Sequence, residues 1–140
     1  MNKIRFLAPF VFLSFLSAEI TFTPYATAKS HIGQGKPVML ELGTRDCVGC
    51  KRMNTVLEPF MKKHPAYRIF DVLINEKRST KKSAMDLLGG SHSKKTLEEE
   101  LKMNGYPYQI FYDKRGRESY RHAGVLSTDQ LEMICRKLGF

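Results

Sequence analysis

Lys36-Pro37-Val38-Met39-Leu40-Glu41-Leu42-Gly43 runs directly into Thr44-Arg45-Asp46 and then into Cys47-Val48-Gly49-Cys50-Lys51. Val38 to Leu42 is apolar except at Glu41 and stops at a glycine, the pattern of a short strand buried on both faces. Thr44 to Asp46 read as a turn, and from Val48 to about Lys63 the apolar residues Met53, Val56, Leu57, Phe60 and Met61 recur at helical spacing. A Cys-x-x-Cys pair therefore stands where a buried strand turns into a helix. The unpaired N–H groups and the dipole at a helix start stabilise a thiolate and lower the pKa of the first thiol. The second thiol comes within its reach across one turn. On this reading Cys47 is the nucleophile, and Cys50 is the resolving thiol that attacks a mixed disulfide. Two other readings stay open. One is a structural disulfide, which would add little stability by closing so short a loop. The other is half of a zinc site, for which there is no second Cys-x-x-Cys and only the scattered His31, His64, His92 and His122.

Working outward, Pro59 should bend or loosen the helix and Pro65 should end it. Tyr67 to Ile74 reads as a second, mostly apolar strand. Thr80 to Leu88 and Lys94 to Met103 read as short amphipathic helices separated by Gly89-Gly90-Ser91, the second capped by Ser93 or Thr96, with Glu98 to Glu100 near its positive end. Pro107 to Tyr112 and Glu118 to Ala123 flank the polar turn Asp113-Lys114-Arg115-Gly116, a hairpin signal. Ser127 caps a last helix that places Leu131, Ile134, Cys135 and Leu138 on one face, which makes Cys135 a core residue. Strand, helix, strand, helices, hairpin and helix in that order imply an α/β sheet covered on both faces.

The 140 residues, 42% apolar and 26% charged, suit one domain. Lys3 and Arg5, the apolar run Phe6 to Leu16, and Ala26-Thr27-Ala28 read as a signal peptide over residues 1–28, with cleavage after Ala28 leaving Lys29 to Phe140. An uncleaved anchor is the alternative, but Pro9 and Glu19 interrupt the run well short of the roughly 20 residues a spanning helix needs. The net charge of +9 suits a solvated basic surface or attraction to anionic envelope surfaces and acidic partners. Nucleic acid is not an expected partner, because the lysines lie in short scattered groups without interleaved aromatics. Three cysteines do not make a stabilising disulfide framework, whereas a close pair in an exported protein points to redox chemistry.

These segments resemble the thioredoxin superfamily across nearly all of residues 36–140. Lys36 to Leu42 with Cys47-Val48-Gly49-Cys50-Lys51 is similar to the C-terminal domain of DsbD-type electron relays and to exported thioredoxin-related proteins. Gly105-Tyr106-Pro107-Tyr108 is similar to the family's cis-proline segment, and His122-Ala123-Gly124-Val125-Leu126-Ser127 resembles its closing strand and helix start. The resemblance implies a thioredoxin fold, a central mixed sheet flanked by helices, with residues 76–104 as a helical insertion before the cis-proline segment. Gly89-Gly90 reads as a hinge in that insertion, which would shape partner choice, against a solvated helical decoration.

It also places the family's buried acid at Glu41, six residues before Cys47. Burial would raise that carboxyl into the range useful for taking a proton from Cys50. A partly exposed Glu41 paired with a lysine is the alternative. Pro107 would be cis, presenting the backbone of Tyr106 to a substrate segment, against an ordinary trans proline at a strand edge. Asp46 stands where the family usually has tryptophan, of which this chain has none. Its charge opposes a thiolate at Cys47 and leans the chemistry towards reduction, with the neighbouring cations Arg45 and Lys51 acting the other way.

The expectation is a periplasmic thiol:disulfide oxidoreductase that reduces protein or peptide disulfides through Cys47 and Cys50. It would need no cofactor beyond its own redox-active disulfide and would be recharged by a membrane electron donor of DsbD type. An oxidase or isomerase, or a non-catalytic binding module on the same fold, are the alternatives.

Overall fold

The computed structural model describes residues 22–74 and 96–140. Eight elements follow in order: α1 (Tyr25–Ser30), β1 (Val38–Gly43), α2 (Val48–Lys63), β2 (Arg68–Leu73), α3 (Leu97–Leu101), β3 (Tyr108–Tyr112), β4 (Glu118–Ala123) and α4 (Thr128–Leu138). The strands form one mixed sheet in the order β2-β1-β3-β4. β1 pairs parallel with β2, so α2 is the crossover such a pair needs. β1 pairs antiparallel with β3, and β3 and β4 form the expected hairpin.

The near-continuous apolar run of β1 has its cause in this order: all six of its residues are buried, because the strand is covered on both faces. Met39 on one face joins Met53, Leu57 and Phe60 of α2 and Leu131, Ile134 and Cys135 of α4. Val38, Leu40 and Leu42 on the other join Ala28 of α1, with Tyr25, Leu101 and Met103 packed alongside. The expected two-faced cover is therefore present, and Cys135 is a core residue.

α2 runs over its expected span from Val48 to Lys63. α2 continues through Pro59, because Thr55 and Pro59 both lie on the exposed side, where water can take the carbonyl that the proline leaves unbonded. α3 is shorter than Lys94 to Met103: Thr96 caps it in a reciprocal box with Glu99, and Lys102 leaves the helix in the left-handed conformation at φ 52°. The Thr80 to Leu88 helix and the Gly89-Gly90 hinge lie outside the described residues.

α1 was not expected as a helix, and the processing point after Ala28 falls inside it, with Ala28 fully buried. Ahead of it, Phe22 makes a parallel bridge to Asp71, extending the sheet beyond β2. The hairpin turn closes on Asp113, whose Oδ1 accepts the N–H groups of Arg115 (2.8 Å) and Arg117 (2.9 Å). Gly116 takes φ 82° there, where a Cβ would come within 3.0 Å of Gly33 Cα.

Candidate active site

β1 ends at Gly43, and the chain turns through Thr44 to Asp46 to set Cys47 as the N-cap of α2. Its extended conformation (φ −78°, ψ 110°) directs Sγ back over the helix start, where it accepts the N–H of Cys50 at 3.0 Å. Here a thiolate meets an unsatisfied helix donor and the positive end of the helix dipole. Cys47 and Cys50 are joined as a disulfide, with Cα atoms 5.2 Å apart. Cys47 is half-buried and Cys50 is 8% exposed, so an incoming disulfide reaches the first sulfur and not the second. Cys135, the remaining cysteine, is buried in the core, and burial pushes its thiol up to about 12.

Gly43 lets this happen. A Cβ there would lie 2.8 Å from Cys50 Sγ, so the second sulfur rests directly on the strand end. Gly49 allows a similar approach on the other side, where a Cβ would meet Pro107 Cδ at 2.8 Å. The Tyr106–Pro107 peptide bond is cis. Pro107 is buried, and its carbonyl accepts the N–H of Gly124 at 2.8 Å, which brings the loop after β4 to the same place. Tyr106 is half-buried, and its hydroxyl donates to a carboxylate oxygen of Glu98 in the first turn of α3. Burial, then that hydrogen bond and charge, push the Tyr106 phenol up. Cys47, Cys50, Gly49, Tyr106 and Pro107, scattered over sixty residues of sequence, thus share one surface. Val48 at 64% exposure and Val125 at 41% give it an apolar rim.

Glu41 lies two residues before Gly43 on the same face of β1 and is 1% exposed, so it is buried as expected rather than paired at the surface. Among the described residues neither of its carboxylate oxygens has a hydrogen-bond partner. Burial raises its carboxyl well above the ordinary range. The neighbouring Gln109 amide opposes that shift, and the negative charge of Asp71 adds to it.

The reading of the sequence missed Asp71 and Asn54. Asp71 lies opposite Glu41 on β2 and is 7% exposed. Burial raises its carboxyl from 3.8 to about 6, against the hydrogen bond that its Oδ2 accepts from Asn54 Nδ2 at 3.2 Å. An aspartate inside the apolar run Tyr67 to Ile74 was the available signal.

This burial has a measurable consequence. Asp71 and Glu41 bind protons more tightly folded than unfolded, so their share of stability is present at low pH and lost as pH rises through about 6 for Asp71. Asp113, Glu118 and Glu132 shift the opposite way, and their contribution is lost only at or below the ordinary carboxylate range. Thermal melts followed by circular dichroism should give a higher Tm at about pH 5 than at about pH 8. Asp71→Asn should raise the alkaline Tm and shrink the difference, and an unchanged pH dependence in that variant would contradict the assignment.

Among the described residues no cluster of three or more His, Cys, Asp or Glu side chains is placed to hold a metal ion. Nor is any helix there long and apolar enough to cross a membrane.

Compared with known proteins, residues 25–139 match the family model of a thioredoxin-like domain. No curated protein matches the chain. Among solved structures, chloroplastic thioredoxin z is similar at 14% identity and a TM-score of 0.66, over 86% of this chain and 95% of the other. The oxidised form of mitochondrial thioredoxin 3 from Saccharomyces cerevisiae is similar at 17% identity and a TM-score of 0.59, over 84% and 92%. The exposed lipoprotein thioredoxin of Streptococcus pneumoniae is similar at 20% identity and a TM-score of 0.57, over 76% and 87%. At these identities the likeness shows the fold. A cysteine pair at the mouth of α2 in that fold is the equipment for thiol:disulfide exchange in general. With its mixed sheet, its helix-capping Cys-x-x-Cys and a family match over most of its length, the chain belongs to the thioredoxin-like domain family.

Proposed function

We propose that the protein is an exported, periplasmic reductase of protein or peptide disulfides, recharged by a membrane electron donor of DsbD type. The observation that carries the reading is the pairing of an accessible Cys47 sulfur at the N-cap of α2 with a buried Cys50 behind it. In the dithiol form the Cys47 thiolate attacks one sulfur of the substrate disulfide, forming a mixed disulfide and releasing the other as a thiolate. Cys50 gives up its proton, with Glu41 as the acceptor, and attacks Cys47 Sγ. The Cys47–Cys50 bond forms as the substrate's second thiolate leaves. Two electrons pass from the protein to the substrate, and the two departing thiolates take up protons from water.

Three features support the direction, the substrate class and export. The charge of Asp46, exposed beside Cys47, disfavours a thiolate and with it the strongly oxidising poise that a very acidic thiol brings. The surface at Tyr106-Pro107, rimmed by Val48 and Val125, suits an extended peptide segment held by its backbone. The basic, then apolar, N-terminal stretch of the sequence supports export.

Equilibration with glutathione or dithiothreitol buffers should give a reduction potential near thioredoxin's roughly −270 mV. A value near the roughly −120 mV of DsbA would replace the reductase with an oxidase.

A further inference from the structure

Resting on the dithiol reading above, we propose that Asp71 is a positioning residue for that chemistry: Asp71 and Glu41 hold one proton between them and together carry the proton of Cys50 away from the sulfurs towards solvent. The geometry is a row of polar side chains in an otherwise apolar layer. Glu41 on β1 is in register with Asp71 on β2 and with Gln109 on β3, and Gln109 is in register with His122 on β4. Neighbouring strands lie about 4.8 Å apart, and residues in register point to the same face, so this row crosses the sheet beneath α2.

The groups that face the pair are known. From α2 come Cys50, seated on Gly43, and Asn54, one turn further along, which donates to Asp71 Oδ2 at 3.2 Å. From β3 comes Gln109, whose Nε2 donates to Gly124 O at 3.1 Å. His122 stands at the far end of the row, and the buried Cys135 of α4 lies on the same face.

Two carboxylates set side by side in a buried layer resist ionising together, as any pair of like charges does, so the pair keeps one proton where two isolated acids would keep none. In that state it has one carboxylate free to accept and one carboxyl already filled. When Cys50 S–H loses its proton to attack Cys47, the pair becomes doubly protonated. The extra proton leaves through Asp71, the more accessible acid at 7% exposure against 1%. Asn54 ties this exchange to the helix that carries both sulfurs.

The test combines carbon-13 NMR of the side-chain carboxyls with single-turnover kinetics of the reduced full-length protein against a disulfide-bonded peptide. In the wild type both the Glu41 and the Asp71 carboxyl signals should report the same two titration steps. Asp71→Asn should bring the Glu41 midpoint down by about one pH unit or more. Glu41→Gln should slow turnover less than the double variant Asp71→Asn with Glu41→Gln, which leaves no acceptor and should lose on the order of 100-fold or more.

A Glu41 midpoint unmoved by Asp71→Asn, or a double variant no slower than Glu41→Gln alone, would overturn the proposal. Should Asp71→Asn fail to fold, Asn54→Ala removes the amide and leaves both acids. It should shift the shared proton towards Asp71 and lower the Glu41 midpoint, and no movement there counts equally against the pair. A wild type inert towards the peptide would instead remove the reductase reading, while the NMR arm would still decide whether the two acids share a proton.

Discussion

Cys47→Ser will lower the rate of thiol:disulfide exchange by at least about 1,000-fold while leaving the fold intact, and Cys50→Ser will stall the reaction with substrate bound through Cys47. The asymmetry follows from position. Cys47 is half-buried at the cap of α2, and Cys50 rests behind it on Gly43. A serine at the first position offers no sulfur to attack with. A serine at the second leaves the attack intact and removes the step that releases the product, so a covalent protein–substrate adduct accumulates. Non-reducing electrophoresis with mass spectrometry would identify both the adduct and the sulfur that formed it. An adduct on Cys50 in Cys47→Ser, with none on Cys47 in Cys50→Ser, would reverse the assigned roles. If the double variant Cys47→Ser with Cys50→Ser still performed the biological task, the fold would be acting as a binding scaffold.

The largest expected loss of stability comes from Met53→Ala, at about 3–5 kcal/mol by chemical denaturation. Met53 is fully buried on the inner face of α2, in the cluster that joins α2 and α4 to the sheet. Its sulfur also accepts the backbone N–H of Leu126 at 3.4 Å, just after the loop that reaches Pro107 through Gly124. Truncation therefore opens a cavity beneath the site helix and leaves a buried donor unsatisfied. Met53→Leu keeps the volume and should cost less than about 1.5 kcal/mol from packing, with the lost acceptor added to it. Equal losses from the two substitutions would mean that the sulfur, and not the packing, holds this corner together.

Much of the fold could be read from the sequence because its signals are local. Val38 to Leu42 is apolar apart from Glu41 since both faces of β1 are covered, and that burial shows in composition without knowledge of what does the covering. Ser127 and Thr96 announce α4 and α3 through side chains that bond to backbone three residues away. The Asp113 to Gly116 turn is likewise set by its own residues. α1 escaped because a six-residue helix carries little periodicity, and its alanines read equally well as a processing site.

The sequence by itself determined the helix-capping cysteine pair, the buried strand before it and the acid two residues from that strand's end. These depend on spacing along one stretch of chain. Only the tertiary structure set Pro107 against Gly49, put Asp71 beside Glu41, and hung Asn54 between the second acid and the site helix. Those neighbours come from strand register and helix packing, which join residues far apart in the chain through contacts that no local pattern encodes. The cysteines and Glu41 could therefore be named from the sequence, while the polar groups set around Glu41 became visible only once the sheet was assembled.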